Sequence, residues 1–207
     1  MPLKALLIIP IFFICAGLLN AQEEKAKWKE CISPNGNYSV RLREGQAIGD
    51  CHYNHAELID HRTKKLLFDF GPEQGANFDS GGYEDDSVVW SPQSGFVAVY
   101  THNHRLGEPR VLAVSGTTVR KCEVPEIELP HDKDPKNEGR YAREWLKPIK
   151  WISETQLSLE DSGLIQQQRL GGSRITYLYD LVIEFTRDGH GTVKTLNQRS
   201  FTKEPWY

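Results

Sequence analysis

The chain has 207 residues, 39% of them apolar and 26% charged, with a net charge of −3 at pH 7. That balance suits a folded domain rather than a disordered chain. Its mild acidity excludes the basic face that a nucleic-acid binder needs.

Residues 1–21 read as a secretory signal. Lys4 supplies the positive start, Ala5 to Leu19 the apolar run, and Leu19-Asn20-Ala21 ends on the small residue a signal peptidase requires. The run falls short of the roughly twenty residues of a comfortable membrane span, and no later run is longer. The expectation is an exported protein, periplasmic or extracellular, with residues 22–207 forming a single domain. Export permits disulfides. Cys31, Cys51 and Cys122 allow three single pairings, among which the sequence does not choose. Cys31 with Cys51 is the candidate weighed here, because it would close a short loop and stabilise by about 3 kcal/mol.

Trp28 to Ile32 reads as a first strand, followed by the turn Ser33-Pro34-Asn35-Gly36-Asn37 and by Tyr38 to Arg43, which alternates cleanly. Glu44 to Asn54 reads as a loop. His55 to Asp60 and Lys65 to Phe70 form a hairpin turned by His61-Arg62-Thr63-Lys64. Gly71 to Asp86 is loose, glycine-rich and acidic. Val88-Val89-Trp90, the turn Ser91-Pro92-Gln93-Ser94-Gly95 and the run Phe96-Val97-Ala98-Val99-Tyr100 then make the best-formed strand–turn–strand of the chain. The run is apolar at every position, which predicts an inner strand covered on both faces, with Trp90 buried between sheets. His102 to Pro109 reads as a loop. Arg110 to Val114 and Thr117 to Val124 pair through Ser115-Gly116. Pro125 to Lys147 is proline-rich and charged, with a short helix predicted over Asn137 to Leu146, where Tyr141 and Trp145 lie four apart. Ile149 to Trp151 and Gln156 to Leu159 resume strand character, Ser162 to Gly172 reads as a loop, and Ile175 to Phe185 is the longest strand candidate. Arg187 to Gly191 turns it into Thr192 to Leu196.

Three turn signals recur about every sixty residues: Ser33-Pro34-Asn35-Gly36, Trp90-Ser91-Pro92-Gln93-Ser94 and Trp151-Ile152-Ser153-Glu154-Thr155. They resemble the W-S-P-D-G-x repeats of TolB-type β-propellers and related exported propeller proteins. The likeness is closest at Trp90-Ser91-Pro92 and weakest at Trp151, where Pro and Gly are absent. Asn35, Gln93 and Glu154 replace the Asp of the pattern. The resemblance implies an all-β chain of three propeller-like antiparallel blades in a compact arc or mini-propeller. A β-sandwich is the alternative. Propellers have four or more blades, and three fit here, so a ring completed by another chain is a further reading.

Candidate chemistry is sparse. His102 and His104 would share a strand face and are weak candidates for a metal. His52, His55 and Asp50 lie close in sequence. Asp79 with Glu84-Asp85-Asp86 carries oxygen ligands, but at no calcium-loop spacing. Neither Ser94-Gly95 nor Ser115-Gly116 has the frame of a nucleophile elbow, and Gly171-Gly172-Ser173 lacks a phosphate-loop continuation. Trp28, Trp145, Trp206 and Tyr207 are candidates to line a sugar or peptide groove. The expectation is therefore a non-enzymatic exported binding or interaction module, without a cofactor, for a protein, peptide or glycan. The alternatives are a small metal-dependent hydrolase using His102 and His104, or a structural assembly subunit. Function is expected in the loops 44–54, 71–86, 102–109 and 125–147.

Overall fold

The structure, a computed structural model, describes residues 28–48, 51–72, 82–84, 86–102, 105–129, 140–167 and 172–205. Among them there is no helix. Twelve strands follow one another: β1 (Trp28–Ile32), β2 (Tyr38–Ile48), β3 (Cys51–Asp60), β4 (Leu66–Pro72), β5 (Val88–Trp90), β6 (Phe96–His102), β7 (Leu106–Ser115), β8 (Thr118–Cys122), β9 (Arg140–Trp151), β10 (Gln156–Gln167), β11 (Ser173–Phe185) and β12 (Gly191–Pro205). β1 to β4 form one antiparallel sheet, and β5 to β12 form a second. Within the second, β5–β8 and β9–β12 are each an antiparallel meander. A short parallel contact, Leu106 opposite Glu144 and Gly107 opposite Trp145, joins them. The described residues thus form three successive four-stranded meanders. Among the described residues no strand pairing joins the two sheets, so the arrangement is open.

The middle meander is packed on both faces, as the continuous apolar run predicts. Phe96, Val97, Ala98, Val99 and Tyr100 are all buried. Because successive side chains of a strand point to opposite faces, β6 and β7 serve two cores. Phe96, Ala98, Val111 and Ala113 meet Trp151, Leu157, Leu159, Ile175, Leu181, Ile183 and Phe185 of the third meander. Val97, Val99, Leu112 and Val114 meet Tyr38, Val40, Leu42, Ala56, Leu58 and Phe70 of the first. Each large apolar side chain so buried contributes about 1.5–3 kcal/mol, and these two seams hold the meanders together.

The three turn signals all connect the first strand of a meander to its second. Ser33 N–H donates to Tyr38 O at 2.9 Å, and Ser33 Oγ accepts from Tyr38 N–H at 3.0 Å. Ser91 repeats both bonds with Phe96, at 2.9 Å each. In the third turn the roles split: Ile152 N–H donates to Gln156 O, while Ser153 Oγ accepts from Gln156 N–H. A buried serine thus satisfies a backbone donor that would otherwise face apolar side chains. Gly36 has φ of 72°, and Ser94 holds φ of 64° at the same place in its turn. Ser94 Oγ also accepts from Asn35 N–H.

The turns are tied to one another across the seams. Trp90 Nε1 donates to Cys31 O and Trp151 Nε1 to Val89 O, both at 3.1 Å. Cys31 and Val89 each stand two residues before their own turn serine, so the two bonds are equivalent. The indole buried at its seam is Trp151 rather than the Trp90 expected to be so. Trp90 is only half-buried, stacked on Tyr38 with ring centroids 6.3 Å apart. The Glu154 carboxylate accepts from Gln93 N–H at 2.7 Å and Gly95 N–H at 2.9 Å, and the Arg187 guanidinium lies beside it at 3.5 Å.

Several expectations are corrected. The helix over Asn137 to Leu146 is strand β9 from Arg140 onward, because its edge pairs along the length of β10. Pro148 is tolerated there because the register slips beside it, leaving Ile149 as a bulge. The loop over Glu44 to Asn54 is largely strand, with β2 reaching Ile48 and β3 starting at Cys51. The loop over His102 to Pro109 gives way to β7 at Leu106. The loop from Ser162 is β10 as far as Gln167. Gly163 suits that strand because the Tyr177 ring crosses it; a Cβ there would overlap Tyr177 Cζ. The predicted signal at residues 1–21 lies outside the described residues.

Candidate functional site

The long strand β7 forks the second sheet. One edge is paired with β6 over its whole length down to Gly107. The other edge pairs with β8 from Val111 to Ser115 and with β9 only at Leu106 and Gly107. Between them lie Glu108, Pro109 and Arg110. Arg105 O accepts from Glu144 N–H of β9, whereas Val114 N–H donates to Gly95 O on the β6 side. Peptide groups alternate along a strand, so odd-numbered residues turn towards β8 and β9. Pro109 falls in the gap. It has no N–H to leave unpaired there, and its carbonyl faces the opening.

A cleft of about 480 Å³ opens at the fork. β7 supplies Leu106, Gly107 and Glu108, the segment after β8 supplies Glu126 to Leu129, β9 supplies Glu144 to Leu146, β10 supplies Asp161 and β11 supplies Tyr177. Among the described residues five carboxylates line it, Glu108, Glu126, Glu128, Glu144 and Asp161, and no Lys or Arg does. Asp161 is only 8% exposed, whereas Glu108, Glu126 and Glu128 are exposed. Trp145 and Tyr177 add aromatic surface. A concave wall of one charge sign raises the local concentration of counter-charged solutes, and ring faces attract cations further.

A second cleft, of about 470 Å³, lies on the other side of Glu108, between β4 and the β7–β8 hairpin. Its walls are Phe68, Phe70, Pro109, Val111, Leu112, Cys122 and Val124. Phe68 and Phe70 meet edge to face at 5.0 Å. At the rim, Lys121 Nζ stands 5.4 Å from the Phe68 ring centroid, and Arg110 Nη1 donates to Phe70 O at 2.6 Å. Asp69 and Glu108 complete the rim. The unbridged Cys122 thiol is pushed up to about 11 by burial. Only about one such thiol in a thousand is ionised at pH 8, and the thiolate is the reactive form. Cys122 is therefore expected to resist alkylation by iodoacetamide in the folded protein and to label rapidly in urea, as read by peptide mass mapping.

The residues singled out by sequence are dispersed. His102 ends β6, where its Nε2 lies 2.8 Å from Glu84 Oε1 and its ring stacks on Tyr100 at 5.3 Å. Lys147 Nζ lies 2.9 Å from Asp86 Oδ2 and 4.0 Å from Glu84 Oε2. The hydrogen bond between them lowers Asp86 and raises Lys147 from their ordinary values. A lowered carboxylate stabilises above its unfolded pKa and a raised lysine below its own, so this pair acts across the neutral range. Being largely exposed, it contributes at most about 1 kcal/mol. A lysine among the carboxylates makes this a salt-bridge cluster rather than a cation site. Among the described residues no group of three or more His, Cys, Asp and Glu is placed to hold a metal ion. His104, Asp50, Asp79 and Asp85 lie outside the described residues, as do Trp206, Tyr207 and the His52 side chain. His55 sits on the outer face of the first sheet, 3.2 Å from Asp69 and edge-on to Trp28. Arg41 covers Trp28 from 4.8 Å.

The register separates Cys31 from Cys51. Cys31 stands opposite Val40, which stands opposite Leu58 of β3. Cys51 begins β3 opposite Ile48, seven residues from Leu58 and so roughly 23 Å away along the strand. A disulfide needs Cα atoms within about 7 Å, so the two cannot be joined in this fold.

Of the groove candidates among the described residues, Trp145 lines the first cleft. The five carboxylates carry no local signature. Their only sequence signal is that Glu126, Glu128 and Glu144 fall within the charged stretch 125–147. Comparison with protein-family models and with the curated proteins finds no match to this chain. No helix among the described residues is long and apolar enough to cross a membrane.

Proposed function

We propose that the chain is an exported, non-enzymatic binding module built from three propeller-like blades, and that the cleft at the β7–β9 junction takes a positively charged ligand. The observation that carries this reading is the lining itself: among the described residues, five carboxylates and two aromatic rings stand around about 480 Å³, with no Lys or Arg beside them. The blade reading is supported by three meanders stacked face to face, each with its serine turn between its first and second strands. It takes the form of a self-contained arc. Ile32 stands where Trp90 and Trp151 stand in the other turns, so the first meander has no indole to give a preceding one, and Ile32 is exposed. Its outer face carries the charged and polar side chains of Arg41, Arg43, His55 and Glu57 in place of an apolar surface for a further meander.

Titration of the protein with fluorescein-labelled pentalysine and pentaglutamate tests the reading. Pentalysine is expected to bind, to weaken as NaCl rises from 50 to 300 mM, and to lose about tenfold in affinity with Asp161→Asn, where a buried charge is removed. The double variant Glu126→Gln/Glu144→Gln, which alters less buried positions, is expected to lose affinity in the same direction. Equal binding of pentaglutamate, salt-insensitive binding, or no binding of pentalysine overturns it.

A further inference from the structure

The two clefts share Glu108 as a common wall and open on either side of the stretch Glu108 to Arg110, where β7 passes between its pairings with β8 and β9. Their linings differ in kind. The first is acidic; the second has Phe68, Phe70, Val111, Leu112 and Val124 as walls and Lys121 at its rim. Leu106 and Gly107 line the first and Pro109 to Leu112 the second, so about three strand residues, roughly 10 Å, separate them. An extended peptide places side chains two residues apart on one side, about 7 Å from each other, and three residues span about 10 Å.

Resting on the cationic-ligand reading above, we propose that the joined clefts recognise an extended peptide segment. It carries a Lys or Arg side chain for the acidic cleft and, two or three residues away, an aromatic or branched apolar side chain for the Phe68–Phe70 cleft. The order of occupancy follows from charge. At the rim of the second cleft Lys121 and Arg110 offset Asp69 and Glu108, so a basic side chain meets no net attraction there, while the first cleft offers it five carboxylates among its described residues. An apolar side chain gains most where the walls are apolar.

The test uses the mature chain, residues 22–207, and capped pentapeptides containing Lys-Gly-Phe, Phe-Gly-Lys, Lys-Gly-Gly or Lys-Gly-Lys, with pentalysine as the reference. One of the two Phe-containing orders is expected to bind at least about tenfold tighter than Lys-Gly-Gly, the effect of filling an apolar subsite with an aromatic ring. Phe68→Ala is expected to shrink that ratio to within about twofold. Lys121→Glu, a surface change that leaves the core alone, is expected to improve Lys-Gly-Lys several-fold relative to Lys-Gly-Gly. The proposal is overturned if neither order beats Lys-Gly-Gly, if the ratio survives Phe68→Ala, or if Lys121→Glu leaves the Lys-Gly-Lys ratio unchanged. Retained pentalysine binding in those cases leaves the acidic-cleft reading standing. Loss of pentalysine binding in the unaltered protein overturns both.

Discussion

Trp151→Ala is expected to destabilise the fold by about 3–5 kcal/mol, the range for removing a buried large aromatic. Trp151 is buried at the seam between the second and third meanders, stacked on Phe96 at 5.4 Å and tilted against Phe185 at 6.0 Å. Its indole N–H also serves Val89 O. Trp151→Phe keeps most of the ring contacts and strands that carbonyl, so about 1–2 kcal/mol is expected. Trp90→Ala makes the equivalent deletion at the first seam, where the ring is half-buried on Tyr38. It should cost less than Trp151→Ala. Urea midpoints followed by circular dichroism give the order. A loss for Trp151→Ala below that for Trp90→Ala would contradict the packing described.

Removal of the Glu154 side chain is the second large effect. Glu154→Ala leaves Gln93 N–H and Gly95 N–H without their acceptor and Arg187 without its nearest carboxylate. Hydrogen bonds to a charged group are worth about 1.5–3 kcal/mol each, and the exposed Gln93 end recovers part of this from water. A loss of about 2–3 kcal/mol is expected, with Glu154→Gln near half of that because one acceptor oxygen remains. Arg187 also lies 5.0 Å over Phe96 and donates to Gly95 O and Val114 O. A double-mutant cycle with Arg187→Ala should therefore show coupling between the two residues. Additive losses would mean that the third turn merely lies near the second and does not brace it.

What was legible in the sequence is what local chemistry enforces. Phe96 to Tyr100 is apolar at every position, and the strand indeed faces a core on each side. Serine turns recur because a side-chain oxygen closes each one, and they mark the same place in all three meanders. The helix over Asn137 to Leu146 failed for a geometric reason. A spacing of four puts Tyr141 and Trp145 on one face of a helix, and on one face of a strand as well, since four is even. The stretch from Ser162 read as a loop, whereas it is strand as far as Gln167, where Gly163 lets the Tyr177 ring cross it. The Cys31–Cys51 pairing looked short along the chain, but β2 and β3 run far enough to carry the cysteines apart. The candidate site is the least legible part. Glu108, Glu126, Glu144 and Asp161 become neighbours only through the parallel contact of β7 with β9, which no residue pattern announces.

The most direct test of the acidic cleft is where a cation lands. With ¹⁵N-labelled protein and unlabelled pentalysine, the largest chemical-shift changes are expected at Gly107, Glu108, Glu126, Glu128, Glu144, the Trp145 indole and Asp161. The serine turns at the other end of the strands should stay still. Shifts centred instead on those turns or on the outer face around Trp28, or none at millimolar peptide, would contradict the account.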